Sequence, residues 1–423
     1  MNSVMGISSS RNRLSAVPLA AAYVAVPMGM AMVRLVDGQG AYLENLPWLL
    51  LAGLGVLIGL HRPSPDAPRS TGFTSKTLLF LCLVAGLALY TSDIRILLET
   101  VFPYIREFAP VAYALFALLW AGTCGMADRY DFQRFGALLS VICIVNLVFE
   151  VFMYGTVPTI RWIGNADILA GLLLISLCAG LKPGLNEGGR VEPDQGNTWW
   201  RVLVLIGLLT CFSRTGYFAA GWIVLCFGRG RLLMRSLYAL VCALLLVVTF
   251  LLPPTASESI RYVDYWLWVE ALRLFSETPS LLLTGYPLNI GLPVTFPPGM
   301  TAIWETATGQ PTIMGVYLTQ VPSFWLRLLY GWGVTVPAAL LVFVFTLLFK
   351  NLSRMGAGLT AALFAQGMTT PLLFDPAMAV PIVMGYMVAL SSPANQANAK
   401  VDEPDGSKVQ PLDPAAEWNM RPL

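Results

Sequence analysis

Residues Ser236–Leu252 read SLYALVCALLLVVTFLL, seventeen positions without a charge, and Pro253-Pro254 follows at once. A run of that length and character is a bilayer-crossing helix, because about twenty apolar residues at 1.5 Å each match the hydrocarbon thickness. The prolines end it, since neither can supply the N–H that another helical turn needs. The same pattern recurs along the chain. Further apolar windows lie near 14–33, 46–60, 77–91, 108–126, 136–155, 167–181, 199–212, 217–228, 332–349, 357–372 and 376–391. With 236–252 they make about twelve spans, and the expected fold class is all-α, a polytopic helical membrane protein. Spans seven and eight share only about thirty residues around Ser213-Arg214-Thr215-Gly216, which predicts a tight hairpin or broken helix there.

Composition agrees with this reading. Of the 423 residues 56% are hydrophobic and 12% charged, against about 25% charged in an ordinary soluble domain. Mean hydropathy is +0.67. A net charge of +2 provides no basic stripe for phosphate backbones, so no nucleic-acid partner is expected. All seven cysteines, at 82, 124, 143, 178, 211, 226 and 242, sit in apolar segments, which argues against a disulfide framework. One histidine, His61, cannot build a histidine-rich metal cage, and no C-x-x-C or H-E-x-x-H spacing occurs. Arg11 and Arg13 before the first apolar run imitate a signal peptide, but an uncleaved first helix is the expectation.

Lys and Arg concentrate in cytoplasmic loops, so their distribution sets orientation. With the N-terminus inside, 18 of the 26 basic residues fall on the inner side and 8 on the outer. Both termini are then cytoplasmic. The expected organisation is nine spans over 1–252, a large outer loop over 253–331, three spans over 332–391 and a disordered tail over 392–423. The loop is far longer than any other connection and is rich in Pro, Gly, Trp and Tyr, and long ordered loops usually carry function.

Candidate chemistry gathers at the outer ends of the spans. Arginine is permanently charged and offers a planar fork that matches phosphate oxygens. Arg161 precedes span six in Thr159-Ile-Arg-Trp-Ile-Gly-Asn165-Ala-Asp167, where Asn165 and Asp167 also suit a helix cap. Membrane-end arginines equally serve as interfacial anchors. Arg214 lies between two short apolar runs, where an unpaired charge is costly, and Glu150 of span five is a candidate partner in a structural clasp. In the loop, Arg261, Tyr265, Trp268, Leu272 and Phe275 recur at helical spacing, which predicts an amphipathic surface helix opened by Arg261. An arginine at a helix start would make an anion site with the backbone N–H groups. Tyr and Trp there also fit an interfacial belt.

Three segments together resemble the O-antigen polymerase and ligase superfamily, the Wzy/WaaL-like membrane glycosyltransferases. Arg161-Trp-Ile-Gly164-Asn165-Ala-Asp167-Ile-Leu-Ala170 is similar to its arginine, glycine, Asn-Pro-Asn, leucine, alanine pattern, with Ala166 in place of the proline. Leu208-Leu-Thr-Cys-Phe-Ser213-Arg214-Thr-Gly216 resembles its Ser-Arg-Gly motif. Arg261-Tyr-Val-Asp-Tyr-Trp266-Leu-Trp-Val-Glu-Ala271-Leu, then Pro279 and Thr284-Gly285-Tyr, resembles its large-loop pattern, with Pro287 in place of the second glycine. The ligases' histidine before the span after the loop is absent. That stretch reads Pro322-Ser-Phe-Trp-Leu-Arg327-Leu-Leu-Tyr-Gly331, so the resemblance favours a polymerase over a ligase. A lipid-linked sugar transporter is a further alternative, disfavoured because the charges lie at span ends rather than at midplane.

The resemblance implies a GT-C-like fold in a bacterial inner membrane. It implies metal-independent, cofactor-free glycosyl transfer between undecaprenyl-diphosphate-linked glycan donor and acceptor at the periplasmic face, with a chain-length regulator as a further partner. Arg161, Arg214 and Arg261 would stabilise the departing diphosphate, with Arg327 a fourth. Glu258, Asp264, Glu270, Glu277 and Glu305 are the candidate bases, Asp264 and Glu305 preferred. Asn165, Asp167, Ser213, Tyr265 and Trp268 complete the expected substrate contacts.

Overall fold

A computed structural model describes residues 13–37, 53–55, 107–154, 162–181, 198–228, 231–251, 256–288, 290–308, 311–350 and 353–390. Regular structure among these is helical, apart from one isolated antiparallel bridge between Leu292 and Val316. Three helices are long and apolar enough to cross a membrane: α1 (Leu14–Leu35), α3 (Arg129–Met153) and α7 (Leu232–Leu251). Shorter apolar helices pack among them, namely α2 (Ala109–Cys124), α4 (Ala166–Ala179), α5 (Thr198–Thr210), α6 (Arg214–Phe227), α12 (Thr335–Lys350), α13 (Arg354–Gln366) and α14 (Pro376–Leu390). Every expected span except the second and third therefore coincides with a helix. Those two, and the tail over 392–423, lie outside the described residues apart from Gly53–Gly55.

Boundaries moved where hydropathy and helix formation part company. Span five was expected from 136, yet α3 begins at Arg129, because the helix already runs through the polar Arg129-Tyr-Asp-Phe-Gln-Arg134 before the apolar run begins. Span eleven was expected to reach 372, yet α13 stops at Gln366. Gly367 ends it with its backbone pressed on Trp325, where an added Cβ would lie 2.5 Å from the indole Nε1.

α4 is apolar on every side except for Asp167 and Ser176, and a helix of that kind belongs in the middle of a bundle. It is buried along almost its whole length between α3, α5, α6, α13 and α14. Small residues set the spacing around it: a Cβ on Gly136 of α3 would fall 2.3 Å from Ser176 Oγ, and one on Gly207 of α5 2.4 Å from Ser140 Oγ. Close backbone approach of this sort drives helix association where lipid removes the hydrophobic incentive. In α1 the Val26 N–H reaches back five residues to Ala21 in a π turn at Ala21–Ala25. Pro27 explains it, lacking the N–H that would bond the Tyr23 carbonyl. The turn aims Tyr23 into the bundle, where its hydroxyl donates to the Leu172 carbonyl at 2.8 Å and accepts from Ser176 at 3.1 Å.

The described residues between 256 and 332 form a lobe with its own core. α8 (Ala256–Glu277) buries Val263, Leu267, Ala271, Leu274 and Phe275 against Leu292, Trp304 of α10 (Pro298–Thr308), Val316, Leu326 and Tyr330. The expected stripe of Arg261, Tyr265, Trp268, Leu272 and Phe275 is thus not the packed face. Leu272 is 74% exposed, and of the four whose side chains are described Phe275 alone is buried. The lobe core took the valine, leucine and alanine positions one turn-edge away, a choice among two apolar stripes that spacing could not make. After α9 (Leu281–Thr284) the chain turns at Gly285, φ +78°, where a Cβ would meet the Gly331 backbone at 2.6 Å. Only glycine satisfies both demands.

α11 (Phe324–Trp332) joins the lobe to the bundle. Leu326 and Tyr330 enter the lobe core, whereas Phe324 and Leu328 enter the bundle core. Its N-terminal end is tied to the turn after α13, with Ser323 Oγ donating to the Gly367 carbonyl at 3.0 Å and the Phe324 N–H to Thr370 at 2.9 Å. The expected loop boundary at 331 falls within α11.

Glu270 organises the lobe's exposed side. Its carboxylate accepts from Arg273 Nη2 at 2.7 Å and from the N–H and hydroxyl of Thr295, each at 3.1 Å. Burial pushes its pKa up, but Arg273 and Thr295 together outweigh that and hold it below the usual carboxylate value of 4.5. A depressed folded pKa contributes stability that is present above 4.5 and is lost as pH falls through the folded value. Glu270→Gln is expected to cost about 1–3 kcal/mol at neutral pH and to flatten the loss of lobe stability below pH 4.5. Thermal unfolding of the full chain in detergent across that range checks it. An unchanged pH profile in the variant contradicts the assignment.

Candidate functional site

Two helix beginnings meet at one end of the bundle. Asn165 starts α4, its side-chain oxygen accepting from the Asp167 N–H at 2.9 Å. Between α5 and α6 the chain breaks over Cys211-Phe212-Ser213, with Phe212 in the left-handed region at φ +52°. A phenylalanine holds that conformation only where its surroundings enforce it. The break is the hairpin expected from spans seven and eight. Arg214, expected between the two spans, is instead the first residue of α6.

Ser213 caps α6, accepting from the Gly216 N–H at 2.9 Å while donating to Asp167 Oδ1 at 2.5 Å. One hydroxyl thereby links the first turns of α4 and α6. Gly216 allows this approach, for its Cβ would fall 2.8 Å from that of Ala170. Arg214 is 5% exposed. Its Nη2 donates to the Thr249 carbonyl near the end of α7 at 2.8 Å, and its guanidinium lies 4.4 Å from the centre of the Phe250 ring.

A narrow cleft opens over this junction, lined by Asp167, Arg214, Thr215, Asp264, Tyr265 and Thr369. Four of the six were expected from the sequence, and they come from α4, α6 and α8, far apart along the chain. Helix N-termini and a guanidinium on one wall favour anionic ligands. Asp264 and Tyr265 enter from the lobe. Trp268, one turn further along α8, donates its indole N–H to the Met368 carbonyl at 3.1 Å and fastens the lobe to the turn that carries Thr369.

The other expected residues are placed as follows. Arg161 lies outside the described residues. Arg261 is the sixth residue of α8, which starts at Ala256, so it stands inside the helix rather than opening it as expected. Its side chain lies outside the described ones. Arg327 does not line the cleft. It is buried in α11 against Glu107, with two Nε contacts at 3.1 Å and one from Nη2 at 2.5 Å, and its guanidinium lies 3.9 Å from the Phe374 ring centre. Glu305 is likewise away from the cleft, accepting from the N–H and hydroxyl of Thr312 at 2.9 and 3.0 Å to hold the chain after α10. Glu270 and Glu277 are both engaged by Arg273, leaving Asp264 as the loop carboxylate at the cleft among the described residues. Glu150 accepts from Asn146 Nδ2 at 3.1 Å within α3.

Sequence reasoning passed over Thr215, Gln366 and Thr369. Thr215 Oγ1 donates to Gln366 Oε1 at 3.1 Å and lies 3.3 Å from Thr369 Oγ1. The signal was present as the polar run Gln366-Gly-Met-Thr-Thr370 closing an apolar span, which a hydropathy window averages away. Comparison of the chain with protein-family models, curated proteins and solved structures finds no match.

Proposed function

We propose that the protein is a membrane glycosyltransferase that polymerises undecaprenyl-diphosphate-linked oligosaccharide repeat units at the periplasmic face of a bacterial inner membrane. In this reading about twelve spans cross the bilayer with both termini cytoplasmic, and the lobe covers the outer ends of the helices. The observation that carries it is the meeting of Arg214 and Asp167 with Asp264 and Tyr265 in one cleft. A carboxylate from the lobe faces an arginine held at the start of a bundle helix.

The chemistry follows from those groups. The acceptor hydroxyl loses its proton to Asp264, its oxygen bonds to the anomeric carbon of the donor glycan, and the bond to the diphosphate oxygen breaks. The leaving diphosphate gains negative charge as that bond lengthens, and the Arg214 guanidinium and the N-terminal ends of α4 and α6 stabilise it there. Tyr265 offers a ring face for sugar stacking at the mouth. Asp167, holding the Ser213 proton, keeps the two helix starts together.

Positioned proton transfer contributes about 10²–10⁴-fold, so Asp264→Asn is expected to lower polymerisation by that order while the protein stays in the membrane. Glycan gels from cells lacking the chain and complemented with either form test it. The expected result is loss of the long ladder with single repeat units left on the lipid carrier. A wild-type ladder from Asp264→Asn contradicts the proposal, and finished polymer stranded on the carrier points to a ligase instead.

A further inference from the structure

We infer that Thr215, Thr369 and Gln366 form a hydroxyl-reading subsite beside Arg214, one that selects the sugar-bearing end of the lipid over its bare diphosphate. The inference rests on the reading of the cleft given above and names what distinguishes its two halves.

Proton accounting supports it. Ser213 has one proton and directs it to Asp167 at 2.5 Å, so it has none to give Thr215, 3.4 Å away. Thr215 directs its own proton to Gln366 Oε1 at 3.1 Å. The contact of 3.3 Å between Thr215 and Thr369 then requires Thr369 to be the donor. Hydrogen bonding therefore runs in one direction, from Thr369 through Thr215 to Gln366, and the two threonines offer the cleft oxygen lone pairs rather than protons. A ligand meeting that wall must donate. A sugar hydroxyl can, whereas an ionised diphosphate oxygen only accepts.

Gln366 fixes that direction from behind the cleft wall. It is 1% exposed, and its Nε2 has no hydrogen-bond partner among the described residues. An unsatisfied buried amide donor costs about 1–3 kcal/mol, and such groups in native proteins call for an explanation. The carboxamide turns its oxygen to the Thr215 hydroxyl and its nitrogen away from it, the orientation that keeps the Thr215 proton out of the cleft. Gln366 is not among the residues that line the cleft, so it acts on a ligand only through Thr215, whose proton it holds. Gln366 sits one hydrogen bond behind Thr215, so it is a positioning residue.

The test uses full-length protein in nanodiscs and two probes, undecaprenyl diphosphate and the lipid-linked glycan extracted from cells lacking this chain. Wild type is expected to bind the glycan-bearing lipid about tenfold more tightly, the size of a lost hydrogen bond or two. Gln366→Met and Thr369→Val should bring that ratio to within about twofold of unity with bare-diphosphate affinity unchanged. Thr369→Ser should restore it, and Arg214→Ala should weaken both probes alike. Equal loss of both probes in Gln366→Met and Thr369→Val, or no preference in wild type, overturns the subsite. Failure of wild type to bind undecaprenyl diphosphate, with a glycan preference that Thr369→Val abolishes, sinks the diphosphate reading and leaves the subsite standing. A strain that accumulates no lipid-linked glycan overturns both.

Discussion

Arg214→Ala is expected to remove long polymer altogether, lowering the transfer rate by about 10²–10³-fold, while single repeat units build up on the lipid carrier. The size follows from position. Arg214 is held at 5% exposure by the Thr249 carbonyl and the Phe250 ring, so its charge acts in a weakly screened setting, where an interaction with a developing anion is worth far more than in water. Arg214→Lys separates charge from geometry. Lysine keeps the charge but loses the planar fork, and it is expected to recover a minor part of the rate. Comparable amounts of each variant in the membrane fraction, measured by immunoblot, show that insertion survives. A full-length ladder from Arg214→Ala would refute the assignment.

The second large effect concerns stability. Arg327 and Glu107 are 3% and 1% exposed at their side chains and meet through three contacts. Removing one partner leaves the other charge buried and unanswered, at a cost of about 3–5 kcal/mol. Glu107→Ala and Arg327→Ala should each lower the thermal midpoint strongly. The double replacement Glu107→Leu with Arg327→Met should recover most of the loss, since a well-packed apolar pair often replaces a buried ion pair without penalty. If Arg327 were instead a diphosphate ligand, the double variant would be stable but inactive. Thermal unfolding and glycan gels on the same three variants decide between the two.

Those two arginines show what was legible in the sequence. Both stand at the edges of apolar runs, and both matched a phosphate-binding expectation. The partners that separate them, Thr249 for Arg214 and Glu107 for Arg327, lie 35 and 220 positions away. Helix positions were legible because long apolar runs with Pro and Gly stops mark helices of membrane-crossing length, as at Ser236–Leu252 in α7. The break at Ser213 was legible because two helices cannot share thirty residues without one.

The packed face of α8 was not legible, since Val263 and Leu267 compete with Tyr265 and Leu272 on equal terms until a partner surface is specified. The start of α8 five residues before Arg261 was missed for a related reason: Ala256-Ser-Glu-Ser is polar and carries no hydropathy signal. Asp264 and Asp167 stand out in the sequence for local reasons, a helical turn from Arg261 and a capping position. Their meeting in one cleft depends on the lobe folding back over the bundle through α11 and Trp268. No local pattern encodes that return.

In the proposed function a cleft on the non-cytoplasmic face grips a lipid diphosphate between the lobe and the bundle. Tyr265→Cys in otherwise unaltered full-length protein, treated in spheroplasts with a membrane-impermeant maleimide, tests it most directly, with the unsubstituted chain as the background for its own cysteines. Labelling at position 265 from outside, with protection of that position by added undecaprenyl diphosphate, is the expected result. Labelling that appears only after the inner membrane is permeabilised would contradict it.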